Sequence, residues 1–250
     1  MIQITASESR VELPRQIALE PSIKKIIEVF PTNEQTLAPM ARIMIAKNPI
    51  KQTSYQSKRT SCHELLQKLL RSILAIQKDH WELSYSSSGA PALISGESQN
   101  LSISMARSGD WMVAGVSYQA GIGVDIECIK PRSSFSAKAD FLNWNVNVTG
   151  IQDFYAKWTL WEASAKCVSG SVFMSNNNGF NKLSKVNTRN KVGRCGQWSG
   201  LHDCLEDKLF FAIVLQCQNN TDLGHQTLCP EKLIPWPIMG SHQSTKTLAG

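Results

Sequence analysis

The sequence predicts an α+β protein of two similar lobes, each a helix packed on a small, mostly antiparallel sheet. Two patterns carry that expectation. The chain runs twice from an amphipathic helix or polar loop into alternating strands, and no apolar stretch is long enough for anything larger than a strand or a single core helix. With 250 residues and 42% hydrophobic side chains, it can bury a sizeable core.

The first helix is expected over Ser61 to Gln77, where Leu65, Leu66, Leu69, Leu70, Ile73 and Leu74 recur at three-and-four spacing. Turn-rich segments at "SSSGAP" and "SGESQN" follow, and then "LSISMA" and "WMVAGVSY", which alternate as short antiparallel strands do. A second cycle opens with the strand "GIGVDIE" at Gly121. It continues to a helix from about Ile151 to Cys167 and closes with the strand "LFFAIVLQC". Asn176 to Asn190, rich in asparagine, reads as an exposed loop. From about Cys217 the chain turns polar and proline-bearing, as a loosely packed tail does. The expected organisation is therefore a first lobe over 1–120, a second over 121–217 and a polar tail over 218–250.

Composition narrows the function. The longest strongly apolar run, Leu209 to Leu215, is far shorter than the roughly 20 residues of a membrane-spanning helix, so no membrane segment is expected. The opening "MIQITASESRVELPRQ" lacks a basic start followed by an apolar core, which predicts a cytoplasmic chain. Seven cysteines without a CxxC pair argue against a disulfide framework and a zinc ribbon. Cys195, His202 and Cys204 lie close in sequence but lack a fourth ligand in regular spacing, so no zinc is assigned. The net charge is +6, and between Ala41 and Lys78 eight basic residues stand against Glu64 alone. Such a run suits an anionic partner, and a solvated basic helix face explains it equally well. No nucleic-acid motif accompanies it, so nucleic acid is not expected as a partner.

Two short segments carry the candidate chemistry. In "GVDIE", Val124 and Ile126 share one strand face, and Asp125 and Glu127 share the other. Alone, that pattern is an ordinary strand with its polar face in water. Paired carboxylates also repel each other, and a hard cation with oxygen ligands, magnesium above all, relieves the repulsion. In "FYAKWTLWEASAKC", Glu162 and Lys166 stand one helical turn apart among Phe154, Trp158, Trp161 and Ala165. A charged pair set among large aromatics is partly desolvated and calls for a partner, a metal or a phosphate. Glu162 meeting Asp125 and Glu127 would complete an acidic metal site, with Lys166 set to neutralise a phosphate. That combination suits phosphoryl-type chemistry.

The order "SISMARSGDW", "GIGVDIE", "FYAKWTLWEASAK" resembles the 4'-phosphopantetheinyl transferase superfamily, specifically its two-lobed, surfactin-type members. The likeness spans roughly Arg59 to Lys166, with weaker support in "KRTSCHELLQKLLRSIL" and near Phe211. The resemblance implies an enzyme with its active site between the lobes. It would transfer the phosphopantetheine arm of coenzyme A, with magnesium, to a serine of an acidic acyl or peptidyl carrier protein, releasing adenosine 3',5'-bisphosphate. Such a monomer would serve secondary-metabolite or fatty-acid synthesis. By the same resemblance, Asp125, Glu127 and Glu162 are the metal carboxylates, and Glu162 is also the candidate base. Lys166 is the catalytic lysine on the coenzyme A pyrophosphate, and Arg59 and Ser104 are further coenzyme ligands. Two positions depart from the family pattern. Met105 stands where histidine is usual, and a thioether donates no hydrogen bond to phosphate; Arg107 shares its strand face and is the candidate replacement. Trp161 stands where lysine is usual. These departures motivate a second expectation, a catalytically impaired module of the same fold that binds coenzyme A or a carrier protein.

Overall fold

The computed structural model describes residues 21–31, 40–48, 55–74, 82–86, 91–94, 101–118, 120–131, 135–142, 144, 147–168, 180, 183, 192–195, 197–217 and 223–228. In chain order the elements are β1 (Ser22–Pro31), β2 (Ala41–Lys47), α1 (Tyr55–Leu74), β3 (Glu82–Tyr85), β4 (Pro91–Ile94), β5 (Leu101–Ser108), β6 (Trp111–Tyr118) and β7 (Ala120–Cys128), then α2 (Phe135–Phe141), α3 (Ile151–Cys167), β8 (Val192–Cys195), β9 (Trp198–Leu205), β10 (Leu209–Cys217) and β11 (Leu223–Leu228). The fold is mixed α+β with antiparallel sheets. A five-stranded sheet has the order β11-β1-β2-β6-β5, a four-stranded sheet has the order β7-β10-β9-β8, and β3 and β4 form a separate hairpin.

Period-two alternation gives each sheet two apolar faces, and the elements stack on them in layers. Leu65, Leu66, Leu69 and Leu70 of α1 pack on Ile26, Met44, Met112 and Val116, the outer face of the larger sheet. Its inner face, carrying Ile27, Ile43, Ile45 and Val113, meets Val124, Ile126, Phe211 and Ile213 of the smaller sheet. Phe210, Ala212 and Val214 on the far side of the smaller sheet receive Phe154, Leu160, Trp161 and Ala163 of α3. Each fully buried side chain of this kind stabilises the fold by roughly 1.5–3 kcal/mol, so apolar faces set the layering.

The two sheets are also joined at their edges. On β5, Ser102, Ser104 and Ser108 share one strand face, and their hydroxyl oxygens accept the backbone N–H groups of Ile122 (3.3 Å), Val124 (3.0 Å) and Cys128 (3.0 Å) on β7. Serine side chains thus take the place of a backbone ladder along this seam.

Several expectations change. Two strands precede the first helix, which begins at Tyr55 and not at Ser61. Residues 223–228, expected in a loose polar tail, form β11 and pair with β1 from Ile26↔Leu228 to Pro31↔Leu223. Their backbone groups find partners at the sheet edge although leucine stands only at the two ends of the segment. Of the asparagine-rich stretch, Phe180 and Leu183 are described, and both are buried against the α3 layer; the rest lies outside the described residues, as do "SGESQN" and residues 75–77. Buried Arg42 donates through Nε to Glu28 (2.7 Å) and through Nη1 to the Ser72 carbonyl (2.8 Å), so it serves the last turn of α1. Among the described residues, no helix is long and apolar enough to cross a membrane.

Candidate metal centre

The centre depends on how closely α3 approaches β7. At Gly123 an added Cβ would lie 1.8 Å from the Ala163 carbonyl oxygen and 2.5 Å from the Cys167 nitrogen. Helix backbone therefore rests directly on strand backbone, and only glycine permits that. The third residue after Ala163 is Lys166, and the second after Gly123 is Asp125; their side chains meet at 2.6 Å, Nζ to Oδ1. Glu162, one turn back, has Oε2 at 3.7 Å from the same ammonium.

Val124 and Ile126 point into the core between the sheets, and Asp125 and Glu127 point the other way, as the alternation predicts. One carboxylate oxygen from each of Asp125, Glu127 and Glu162 lies within 4.8 Å of the other two. Asp125 is 2% exposed, and its Oδ2 is buried with no hydrogen-bond partner among the described residues. A buried carboxylate oxygen without a partner is costly. Three carboxylates against one ammonium leave excess negative charge when all are ionised. Burial pushes the Asp125 carboxyl well above its ordinary range; Lys166 opposes this, and Glu162 and Glu127 reinforce it. Burial alone would lower the Lys166 ammonium, yet the surrounding carboxylates, Asp125 foremost, hold it above its usual value. An oxygen-rich site with surplus negative charge and a bare oxygen fits a hard divalent cation.

Glu127 is also held from the first sheet. The Ser108 hydroxyl donates to its Oε2 at 2.7 Å. Sequence reasoning missed this residue. The signal was the run of small hydroxyls on one face of β5, in "SISMARS".

The expected coenzyme ligands separate into two groups. Ser104 is 3% exposed, and its hydroxyl accepts the Val124 amide, so it belongs to the seam. Arg107 occupies the opposite face of β5 with Met105, which packs in the α1 layer. Burial pushes the Cys62 thiol of α1 up to about 11, while the positive charges of Arg107 and Lys166 both pull it down. The basic groups of β5 and α3 therefore act on one spot near the start of α1. Arg59 lies exposed in that part of the helix, its guanidinium 4.9 Å from the Tyr85 ring centre. Tyr85 in turn stacks on and hydrogen-bonds to His63.

Trp161, where the resemblance puts lysine, is 4% exposed and sits 5.6 Å from Trp158 and 6.1 Å from Trp144, ring centre to ring centre. Its indole belongs to the aromatic layer under α3. Trp158 stacks on Phe154 at 5.8 Å and carries the Lys138 ammonium 3.7 Å above its ring.

No protein-family model matches the chain, and no curated protein is significantly similar to it in sequence.

Proposed function

We propose that this chain is a magnesium-dependent phosphopantetheinyl transferase that moves the 4'-phosphopantetheine arm of coenzyme A to a serine of an acyl or peptidyl carrier protein. The observation that carries the reading is the convergence of Asp125, Glu127 and Glu162 beside Lys166, with one buried Asp125 oxygen that has no hydrogen-bond partner among the described residues. These carboxylates would hold magnesium, which supplies positive charge to the coenzyme pyrophosphate. Glu162, its side chain 18% exposed against 3% for Asp125, takes the proton of the carrier serine. The serine oxygen then bonds to the pantetheine-bearing phosphorus. The bond from that phosphorus to the bridging oxygen breaks, and its electron pair leaves with adenosine 3',5'-bisphosphate. Lys166 offsets charge on the phosphate oxygens, and Arg59 and Arg107 take the nucleotide phosphates. In this reading α1 with the larger sheet and α3 with the smaller sheet are two lobes, and coenzyme A lies across them. The partner is an acidic carrier protein met by a basic cytoplasmic monomer.

Incubation with coenzyme A, magnesium and apo carrier proteins, followed by intact-mass measurement of the carrier, tests the reading. A gain of one phosphopantetheine is expected. No gain with any of several carriers, under conditions where the chain is folded, overturns transferase activity. Met105 favours a second reading, because it lies in an apolar layer and brings no donor to phosphate. A binding module without turnover would show heat of coenzyme A binding in calorimetry and no mass gain.

A further inference from the structure

We propose that Ser108 is the positioning residue of the acidic centre, holding Glu127 in its ligating arrangement through a hydroxyl that is itself fixed by the β5–β7 seam. A serine hydroxyl has one proton and two lone pairs. The Ser108 oxygen accepts the Cys128 amide at 3.0 Å, and its proton goes to Glu127 Oε2 at 2.7 Å. The Ser108 carbonyl is tied as well, accepting the Cys128 thiol at 3.3 Å. Ser108 is 7% exposed and is followed by Gly109, whose φ of 59° opens the two-residue turn into β6. The serine therefore cannot drift: a tight turn fixes its backbone, and the neighbouring strand fixes its side chain.

Glu127 differs from its partners in what holds it. Asp125 is short and buried, and Lys166 bonds it directly. Glu127 has a longer, half-buried side chain with more rotamers, and one carboxylate oxygen bonded to Ser108 orders it before any cation arrives. Among the described residues, the Ser102 and Ser104 hydroxyls bond to β7 amides. Ser108 is the seam serine that reaches a carboxylate.

The inference rests on the carboxylate triad being a metal site. The test measures Mn2+ binding to the full chain after chelator treatment, by titration with electron paramagnetic resonance of free and bound Mn2+. Ser108→Ala is expected to weaken Mn2+ by about 10- to 100-fold and to change the bound spectrum, and Ser108→Thr, which keeps the hydroxyl, restores both. Ser102→Ala, which loses a comparable seam bond without touching a carboxylate, is expected to bind as the wild type does. Should Ser108→Ala not fold, Ser108→Cys carries the same expectation, since a thiol is a weak donor. Unchanged Mn2+ affinity in Ser108→Ala overturns the inference and leaves the metal site standing. Equal weakening by Ser102→Ala overturns it too, because seam packing would then be the cause. A wild-type chain that takes up no Mn2+ removes the metal site itself, and the inference with it.

Discussion

Asp125 is buried with an ammonium on one oxygen and, among the described residues, no hydrogen-bond partner on the other. Burial raises its carboxyl, Lys166 pulls it back, and Glu162 raises it again, for a net position well above the ordinary 3.8. A carboxyl raised in the fold binds more protons than in the unfolded chain, so the stability it gives is lost as pH rises through its folded value. Ionising this carboxyl in the fold therefore weighs against stability when no cation is present. Asp125→Asn should therefore leave the metal-free chain at least as stable at pH 7 and abolish the rise in melting temperature that the proposed site predicts for the wild type with magnesium. A thermal melt with and without magnesium checks both, and a retained magnesium shift would remove Asp125 from the ligand set. At this scale the sequence disclosed the carboxylates, because strand alternation and helix spacing are local rules. Ser108 and Gly123 were hidden because their roles depend on partners in other elements: the Glu127 carboxylate on β7 for one, the α3 backbone for the other.

The contact of α3 with β7 sets the geometry of the whole centre. Gly123→Ala would put a methyl group 1.8 Å from the Ala163 carbonyl, and helix backbone cannot yield as a side chain can. The expected result is a loss of about 3 kcal/mol or more in chemical denaturation, above the usual range for overpacking, together with weakened Mn2+ binding as Glu162 and Lys166 move with the helix. Gly150→Ala, with nothing within 4 Å of its added Cβ, should cost little by comparison. The helix α3 was legible to the residue, Ile151–Cys167, and β5, β6, β7 and β10 were legible from alternation and apolar content. The strands β1 and β2 were not. Their buried Glu28–Arg42 pair puts charge at positions where a strand signal calls for apolar residues, and Lys24 and Lys25 interrupt the pattern further. The strand β11, "LGHQTL", has leucines only at its two ends and so lacks the alternation that marks a strand.

Across the whole molecule, the layered core buries thiols on both sides. Burial pushes Cys62 under α1 up to about 11, with Arg107 and Lys166 opposing; it pushes Cys167 at the end of α3 up to about 12, against a backbone hydrogen bond from Gln216 and with Cys217 adding to it. Below the ordinary 9.0 both folded and unfolded thiols are protonated, and these groups leave stability unchanged. Above it the unfolded chain sheds protons that the fold retains, so stability falls as pH rises from 9 toward 11 or 12. Cys62 alone should account for roughly 2 kcal/mol by the upper end of its window. Denaturation midpoints at pH 8 and 10.5 should show the decline, and Cys62→Ala should reduce it by about half, because Cys167 acts over the same window. The layering has a further consequence for how the chain comes to be folded. The strand β1 finds its outer neighbour in β11, with Ile26 opposite Leu228, so nearly all of the described chain must be synthesised before that edge closes. Until then β1 shows a row of unpaired amides and carbonyls to every other nascent chain. Pairing across such a separation in sequence is slow, so the last described strand is expected to set the pace of folding and the interval in which the protein is open to aggregation.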